Sequence, residues 1–296
     1  MRISVLTPTY NRANLLERLY ASLVQNSKFG IEIEWLIIDD GSTITPKEIV
    51  DRFIVENKII IKYFEQENKG KMEAINYLVQ KATGDLIVDC DDDDYFTENA
   101  FKIIKSTYEK NVNTNDCYAM CFLKYNQNQE NMGKQFQEEK TTMFDLYFKQ
   151  GEDGEKALVF FSEIRKKYKH ELVNGERFVT ESRMYHKMDL TNNIICVNEP
   201  IMICEYQKDG YTKNIINEFK QNPFGYYEYF KEIFEHDMNN MIFSKRLYVI
   251  KHFILFTYLT KNKNSLNKVR GLLNRLLYIA LYIPGIVKTR IFLNKN

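Results

Sequence analysis

The chain has 296 residues, of which 44% are hydrophobic and 27% are charged. It is long enough to bury a sizeable core, which excludes a miniature fold held together by disulfides. The five cysteines are odd in number and lack the C-x-x-C spacing of zinc or redox sites, so we expect reduced, mostly buried thiols. The first residues lack the features of a signal peptide, so we expect a cytoplasmic protein.

The net charge of +1 conceals two oppositely charged parts of the chain. Residues 241–296 contain eleven of the 41 Lys and Arg residues and none of the 40 Asp and Glu residues. They therefore carry about +11, while residues 1–240 carry about −10. This asymmetry indicates different roles for the two parts.

Short apolar runs alternate with helical patterns in the first part of the chain, which is typical of a parallel sheet covered by helices. Two of the predicted helices begin with recognised signals: Asn14 is followed by Glu17, and Thr45 is followed by Pro46 and Glu48. We predict strands at 3–6, 34–38, 58–64, 85–88 and 118–123, with helices starting near Asn14, Thr45, Gly70 and Thr97.

The second part of the chain gives a weaker signal. Residues 126–140 are polar and predict a long loop, residues 143–169 have a mixed helical pattern, and residues 177–181 suggest a junction from strand to helix. Strand-like runs occur within 194–206, and helices follow from Lys213 onward. We therefore predict one domain over 1–212, with halves 1–124 and 125–212, and a basic helical extension over 213–296.

Polar clusters follow each of the first four predicted strands. These clusters are Thr7-Pro-Thr-Tyr-Asn-Arg, Asp39-Asp-Gly-Ser, Glu67-Asn-Lys-Gly-Lys and Asp89-Cys-Asp-Asp-Asp-Asp. Ligands of open parallel sheets bind beyond the carboxyl ends of the strands, so we expect all four clusters at one edge.

The aspartate run Asp91, Asp92, Asp93 is the most costly feature to explain as structure alone. Carboxylates about 5 Å apart repel each other by roughly 3 kcal/mol at an effective dielectric constant of about 20, so the run predicts a bound cation. Mg²⁺ or Mn²⁺ fits, because either ion can bind one or two carboxylates together with diphosphate oxygens. The alternative is a solvated acidic loop before the next helix.

The other clusters offer groups that suit a nucleotide. The carboxylate of Asp40 can accept the imide N–H of uracil, and the ring of Tyr10 can stack on the base. Lys71 and Asn76 would face the nucleotide, and Gly70 would let the backbone approach it. The alternatives are a tight turn at Asp40 and a surface turn with solvated lysines before Lys71.

Together these motifs resemble family 2 glycosyltransferases with the GT-A fold, and in particular bacterial capsular and exopolysaccharide glycosyltransferases. The matching stretches are Val5-Leu-Thr-Pro-Thr-Tyr-Asn-Arg, Leu36-Ile-Ile-Asp-Asp-Gly-Ser-Thr, Asn68-Lys-Gly with Ala74 and Asn76, and Gly84 to Phe96. Polar Asp89 and Cys90 stand where the family generally has apolar residues.

The resemblance implies a Rossmann-like, mostly parallel α/β sheet flanked by helices. Residues 1–124 would bind the nucleotide-sugar, and residues 125–212 would bind the acceptor. The implied nucleotide-binding residues are Thr7, Tyr10, Asp40, Lys71, Asn76 and Asp92, and the implied metal ligands are Asp91 and Asp93.

The resemblance also implies inversion at the anomeric carbon, which requires a carboxylate base. Glu181 falls where the family has a second acidic motif, with Glu176 and Asp153 as reserves. Glu181 is alternatively a first-turn acid favoured by the helix dipole. His186 either approaches the phosphates or packs in the interior. The segment Asp209-Gly-Tyr-Thr either covers the donor or forms an ordinary turn.

The basic tail does not resemble a transmembrane helix, because the apolar stretch 276–287 is short and contains Pro284. Apolar residues among lysines and arginines predict helices that lie on an anionic cytoplasmic leaflet. The alternative is that these helices pack on the catalytic domain. No recognised nucleic-acid-binding module accompanies the charge, so we expect no nucleic acid partner.

The sequence thus predicts an inverting, metal-dependent glycosyltransferase of the hexosyltransferase type. We expect a UDP-sugar donor, a glycan or lipid-linked acceptor in cell-surface polysaccharide or capsule synthesis, and a peripheral position at the inner membrane face. One alternative is a metal-dependent nucleotidyltransferase, which lacks support because no glycine-rich, lysine-bearing phosphate loop follows the first strand. The other alternative is a noncatalytic protein that binds a nucleotide-sugar or glycan.

Overall fold

The computed structural model describes residues 1–112, 114, 116–205 and 215–294, and the chain divides into two compact units. The sheet unit comprises Met1–Thr142, Asp153–His170 and Thr191–Gly210, and the helical unit comprises Met143–Glu152, Glu171–Leu190 and Tyr211–Asn296. This division differs from the predicted boundaries at 124 and 212. The physical reason is that 143–152 and 171–190 pack with the C-terminal helices.

Up to residue 111 the described strands and helices alternate as predicted, except that a short strand that was not predicted, Tyr95–Phe96, lies between the fourth strand and the fourth helix. In chain order they are β1 (Arg2–Thr9), α1 (Leu16–Ser27), β2 (Glu32–Asp39), α2 (Lys47–Glu56), β3 (Ile60–Glu65), α3 (Lys71–Lys81), β4 (Leu86–Asp89), β5 (Tyr95–Phe96), α4 (Ala100–Asn111), β6 (Cys117–Tyr125), β7 (Lys140–Thr141), α5 (Met143–Phe148), β8 (Lys156–Phe161), α6 (Ser162–Arg165), α7 (Ser182–Asp189), β9 (Asn193–Ile203), α8 (Ile215–Gln221), α9 (Pro223–Glu232), α10 (Phe243–Leu259) and α11 (Leu272–Asn294).

The strands of the sheet unit form one sheet in the order β3-β2-β1-β4-β8-β6-β9-β5, with β7 paired to β9. The first four strands are parallel to one another. β8 is antiparallel to both β4 and β6, whereas β6 and β9 are parallel. The predicted α/β fold with helices around a mostly parallel sheet is therefore confirmed.

The centre of this sheet is buried on both faces, since seven consecutive residues of β1 and of β2 are buried. Trp35 on β2 is fully buried, and the rings of Tyr20 and Phe53 stack beside it with their centroids 4.1 Å apart. Gly84 precedes β4 at a point where a Cβ atom would lie 2.7 Å from the backbone nitrogen of Ser4. Only glycine lets the chain enter the sheet this closely.

Two predictions for the second half of the sequence were wrong. The mixed helical pattern over 143–169 contains the strand β8, because its buried apolar run 157–160 lies between two other strands of the sheet. Residues 177–180 form no strand before α7. The predicted long loop over 126–140 and the strand within 194–206 are both present.

The core of the helical unit is built from aromatic residues, and α10 runs through it. The buried residues of α10 include Val249, Ile250, Phe253, Ile254 and Phe256. α10, the first helix of the basic tail 241–296, therefore lies in the core of the helical unit. Of the two alternatives considered for the tail, packing within the protein fits α10 and a membrane surface does not. Among the described residues, every helix is too short or too polar to be a candidate for crossing a membrane.

Histidines contact this aromatic core, and two of them, His186 and His236, lie beside each other. The rings of His186 and His236 are 5.5 Å apart, and Phe144 stacks on His236 at 4.3 Å. Burial lowers the pKa of His186 to about 3 and that of His236 to about 4. Nδ1 of His186 has no hydrogen-bond partner within the described ranges. His186 is therefore a packing residue, and the predicted alternative that it approaches the phosphates does not fit this position.

We expect the helical unit to lose stability as the pH falls from about 6.5 towards 4. The unfolded chain binds protons on His186 and His236 in this range while the folded chain does not, which removes about 1.4 kcal/mol per pH unit for each histidine. Urea midpoints at pH 7.5 and pH 5 would measure the loss. His186→Phe keeps an aromatic ring and should show a smaller loss than the wild type. Identical pH dependence of both proteins would contradict the assignment.

Candidate functional site

The four polar clusters meet at one edge of the sheet unit, beyond the carboxyl ends of β1 to β4, as predicted. Backbone hydrogen bonds join the starts of these loops to neighbouring strands. Asp40 N donates to Thr9 O at 2.9 Å, Gln66 N donates to Asp39 O at 3.0 Å, and Cys90 N donates to Leu6 O at 2.9 Å. This edge is the candidate site.

Side chains and a glycine connect the loops to one another. The side-chain oxygen of Asn11 accepts a hydrogen bond from Thr43 N at 2.8 Å, and Asn11 N donates to Ser42 Oγ at 2.8 Å. Gly41 has φ +78°, and a Cβ atom there would lie 2.8 Å from Asn68 N. The loops after β1, β2 and β3 are thus in contact, which restricts the movement of the side chains they carry.

Asp40 is buried and holds the loop before α3. Its carboxylate accepts hydrogen bonds from Gln66 Nε2 at 2.7 Å, Lys69 N at 2.8 Å and Gly70 N at 2.9 Å. A carboxylate offers about four acceptor positions, so about one remains for a ligand. Asp39 accepts from both Ser42 N and Ser42 Oγ, which is the tight turn considered for this motif.

The two residues predicted to contact the nucleoside from the first loop differ in exposure. Tyr10 has 47% of its surface exposed at the edge, where a base can stack on it. Thr7 is fully buried, and its hydroxyl accepts a hydrogen bond from the Trp35 indole at 2.9 Å. The packing of the Thr7 side chain therefore argues against its predicted nucleoside contact.

Lys71 and Asn76 both lie on α3 but have different surroundings. Lys71 Nζ is 2.7 Å from Asp91 Oδ2 at the edge. The amide of Asn76 donates to His170 O and accepts from His170 N, both at 2.8 Å. Both groups of the Asn76 amide bind the backbone of His170, so Asn76 fixes the position of the segment that ends at His170.

The aspartate run contacts cationic and hydroxyl groups from several elements. Asp92 accepts from Thr9 Oγ1 at 2.8 Å, and Arg12 Nη1 lies 3.6 Å from Asp92 Oδ1 and 3.3 Å from Asp93 Oδ2. Asp92 is almost fully buried, whereas the side chain of Asp91 is 42% exposed. Arg12 is a site residue to which the sequence reasoning gave no role.

The run is electrostatically crowded, which is what a cation site needs. Burial and the charges of Asp91, Asp94 and Asp92 raise the pKa of Asp93 to about 7, although Arg12 lowers it. Burial also raises the pKa of Asp92 to about 6, against the effects of Thr9 and Arg12. A divalent cation would relieve this repulsion, and carboxylate oxygens are the ligands that Mg²⁺ and Mn²⁺ prefer.

The described residues contain no group of three or more His, Cys, Asp or Glu side chains placed to hold a metal ion. The predicted ligands at this edge are a set of two carboxylates, Asp91 and Asp93. Such a set fits an ion that is also bound by the oxygens of a diphosphate.

A fourth aspartate, Asp94, pairs with a buried lysine that the sequence reasoning missed. Lys124 Nζ on β6 lies 2.9 Å from Asp94 Oδ2 and 3.4 Å from Glu155 Oε2. Burial alone would lower the pKa of Lys124, but Asp94 and Glu155 raise it well above its usual value. The lysine therefore stays charged and anchors the end of the run to β6. Thirty positions separate the partners, so no local pattern in the sequence signals this pair.

A second buried cation lies behind the run. Arg165 is fully buried, its Nη2 is 3.8 Å from Asp89 Oδ2, and its Nη1 donates to Tyr168 O at 2.9 Å. Its Nη2 also lies 3.4 Å from His170 Nε2. Burial, Arg165 and Lys71 lower the pKa of His170 well below its usual value. Asp89, which departs from the family pattern, therefore faces a buried arginine.

The predicted base and its reserves lie elsewhere in the chain. Glu181 stands immediately before α7 in the helical unit, and Tyr185 Oη is 3.5 Å from its Oε2. Glu176 accepts hydrogen bonds from the backbone nitrogens of Phe224 and Gly225 at the start of α9. Asp153 is an exposed residue of the sheet unit. The predicted donor cover, Asp209-Gly-Tyr-Thr, lies outside the described residues.

The family model of Glycosyl transferase family 2 matches residues 4–172, more than half of the chain and all of the loops at this edge. The chain belongs to glycosyl transferase family 2. The match includes Lys124, Arg165 and His170, so these residues lie within the part of the chain that carries the family likeness.

Curated relatives of this family 2 chain match it over different lengths. An uncharacterized glycosyltransferase of Mycoplasma pneumoniae, the MG060 homolog, is 35% identical over 112 residues, which cover 37% of this chain and 38% of the relative. Glycosyltransferase GlyG of Streptococcus pneumoniae is 27% identical over 215 residues, which cover 68% of this chain and 69% of GlyG. The chain thus spans well under half the length of the M. pneumoniae relative.

Solved structures with the same fold extend over the whole chain. S. aureus TarS 1-349 in complex with UDP superposes with a TM-score of 0.59 at 16% identity, over 100% of this chain and 92% of that one. Mannosyltransferase PcManGT from Pyrobaculum calidifontis, in complex with GDP-Man and Mn²⁺, gives 0.58 at 16% identity, over 97% and 83%. At this identity the likeness supports the GT-A fold.

We expect Asp93→Asn to raise the melting temperature of the metal-free protein at pH 8 by about 2–4 °C, the size of shift that about 1 kcal/mol produces. The substitution removes a charge that burial and three neighbouring carboxylates disfavour. Differential scanning fluorimetry would measure it. Asp116→Asn is the matched control, because Asp116 is exposed and paired with Lys140. A lower melting temperature for Asp93→Asn would contradict the crowding argument.

We expect Lys124→Met to destabilise the fold by about 3–5 kcal/mol, because it leaves buried Asp94 charged and unpaired. The double substitution Lys124→Met with Asp94→Asn should recover much of this loss. Urea unfolding of the wild type, both single variants and the double variant would form a double-mutant cycle. Additive effects of the two substitutions would show that the pair does not anchor the run.

Proposed function

We propose that this chain transfers a sugar, with inversion, from a UDP-sugar to a glycan or lipid-linked acceptor in cell-surface polysaccharide synthesis. The observation that carries the proposal is the crowded aspartate run beside Asp40 and Tyr10, at the edge where this fold binds ligands. TarS has been solved with UDP and with UDP-GlcNAc, and both complexes superpose on this chain.

The donor is assigned to the loops of the sheet unit. Tyr10 would stack on the base, and Asp40 would accept the imide N–H of uracil with its remaining acceptor position. Asp92 would accept a hydrogen bond from the ribose. These contacts require little rearrangement, because Asp40 is already fixed by three hydrogen bonds.

The metal is assigned to Asp91 and Asp93. When bound, Mn²⁺ or Mg²⁺ would act as a Lewis acid that stabilises the charge of the departing diphosphate. Lys71 and Arg12 already contact these carboxylates, and we assign their cationic groups to the phosphates of the donor. Asp94 is reserved for Lys124 and is left out of the ligand set.

The base is assigned to Glu181 of the helical unit. Its carboxylate would take the proton from the acceptor hydroxyl as the hydroxyl oxygen attacks the anomeric carbon and the nucleotide leaves. Glu181 is the N-cap residue of α7, and its side chain makes no capping hydrogen bond to the helix. The role is transferred from the family's acidic motif, and Glu176 and Asp153 are the reserves.

The donor assignment is tested by binding measurements with defined nucleotides. We expect UDP with Mn²⁺ to raise the melting temperature, and we expect EDTA to remove the effect, because the diphosphate would be held through the ion. GDP with Mn²⁺ is the control for the base, and Asp93→Asn is the control for the metal. Equal stabilisation by UDP in Mn²⁺ and in EDTA would overturn the metal assignment.

We expect Glu181→Gln to lower transfer by about 10²–10⁴-fold while the affinity for UDP changes little, because only the general base is lost. The release of UDP would measure the hydrolysis of UDP-glucose and of UDP-N-acetylglucosamine. Glu176→Gln is the matched control, since this carboxylate binds the start of α9. Unchanged turnover of the Glu181→Gln variant would exclude Glu181 as the base. If only the Glu176→Gln variant lost turnover, Glu176 would be assigned as the base instead.

We further propose that the enzyme works peripherally at the inner face of the membrane, where a lipid-linked acceptor would be available. The positive charge of residues 241–296 supports this location. Since α10 belongs to the core of the helical unit, the contact must involve another part of the tail.

A further inference from the structure

Helix α11 is anchored to the helical unit along one side. Tyr278 and Asn274 are buried there, and the ring of Tyr278 lies 5.9 Å from that of Phe253 on α10. At Gly285 a Cβ atom would lie 3.0 Å from Ile254 Cγ2, so α11 approaches α10 closely. The helix is therefore a fixed part of the unit, and its orientation determines which side faces outward.

The outward side of α11 is apolar, which is unusual for a helix in contact with water. Five large apolar residues on this side are 50% or more exposed: Leu272 (76%), Leu276 (57%), Ile279 (57%), Ile283 (73%) and Val287 (52%). Their spacing of three or four residues places them in one line, which we call the α11 stripe. Packing among the described residues explains why the inward side of α11 is apolar. It does not explain why the α11 stripe is apolar.

The charges around the α11 stripe indicate what covers it. Arg270 and Arg275 lie at the start of α11 and Lys288 lies near its end, and residues 241–296 contain no Asp or Glu. A second copy that paired through its own α11 would bring these positive charges against positive charges, which opposes pairing. An anionic lipid surface satisfies both features, because it offers acyl chains to the stripe and negative headgroups to the flanking cations.

We propose that the α11 stripe docks on an anionic lipid surface, with α11 lying in the plane of the headgroup boundary. α10 packs against α11 and supports it from inside the unit. This inference rests on the proposed function only in linking the lipid surface to a lipid-linked acceptor. Lipid binding and donor binding are separate measurements, so one can fail without the other.

The test is cosedimentation of the full chain with vesicles. Wild-type protein should bind vesicles that contain phosphatidylglycerol, bind vesicles of phosphatidylcholine alone more weakly, and dissociate as salt screens the charges. Leu276→Glu with Ile283→Glu should lower partitioning by about 100-fold, because two apolar contacts are lost and two negative charges are introduced. Both side chains are exposed, so melting temperature and UDP binding should be retained.

The matched control is Val55→Glu with Val112→Glu, which adds the same charge at exposed apolar positions of the sheet unit (83% and 52%). This pair should bind vesicles like the wild type. Equal loss in the two double variants, or no binding of wild type to phosphatidylglycerol, would overturn the proposal. A wild-type dimer that the α11 variants dissociate would also overturn it, in favour of a second copy.

Discussion

Repulsion among four consecutive carboxylates, Asp91 to Asp94, is the constraint on which the sheet unit depends. At about 5 Å and an effective dielectric constant of about 20, each neighbouring pair costs roughly 3 kcal/mol. The fold places cations from three separate elements around the run: Arg12 after β1, Lys71 at the start of α3 and Lys124 on β6. The pKa of Asp93 nevertheless stays near 7, so the compensation is incomplete. A bound cation would complete it.

The four aspartates have different surroundings, and this difference distinguishes Asp94, which is paired within the fold, from the aspartates that we propose as ligands. Asp94 is buried against Lys124, which ties the end of the run to the sheet. Asp92 is held by Thr9, while Asp91 remains partly exposed beside Lys71. Contacts between the other loops, such as those of Asn11 and Gly41, keep the edge in one arrangement before a ligand arrives. Such preorganisation lowers the cost of binding a flexible donor.

The helical unit has a different basis for its stability. Its core consists largely of stacked aromatic rings, including Tyr226 with Phe256 and Phe230 with His252. The basic residues of α10 are not among its buried residues, so this helix can carry positive charge and still pack in the core. Among the helices of this unit that the structure describes, α11 is the one whose exposed large apolar residues form a line, which is why we assign the lipid contact to this helix and not to the tail as a whole.

The sequence by itself determined the first four strands, the helices between them and the meeting of four polar loops at one edge. These features follow from local patterns: buried parallel strands read as apolar runs, helices carry start signals, and parallel strands all end on the same side. The family motifs lie in those loops, so the residues of the aspartate run, Asp40, Tyr10 and Lys71 could be named in advance. The family match later confirmed the class of enzyme.

Only the tertiary structure decided which of these polar residues serve the fold. Thr7 binds Trp35 across 28 positions, Asn76 binds His170 across 94, and Asp94 pairs with Lys124 across 30. The insertion of β8 between β4 and β6, and the burial of α10 and His186, are also long-range choices. A local pattern records the period of a helix or strand, but it does not record which distant surface covers it. That is settled when the chain packs, because burial and pairing energies depend on neighbours far away in sequence.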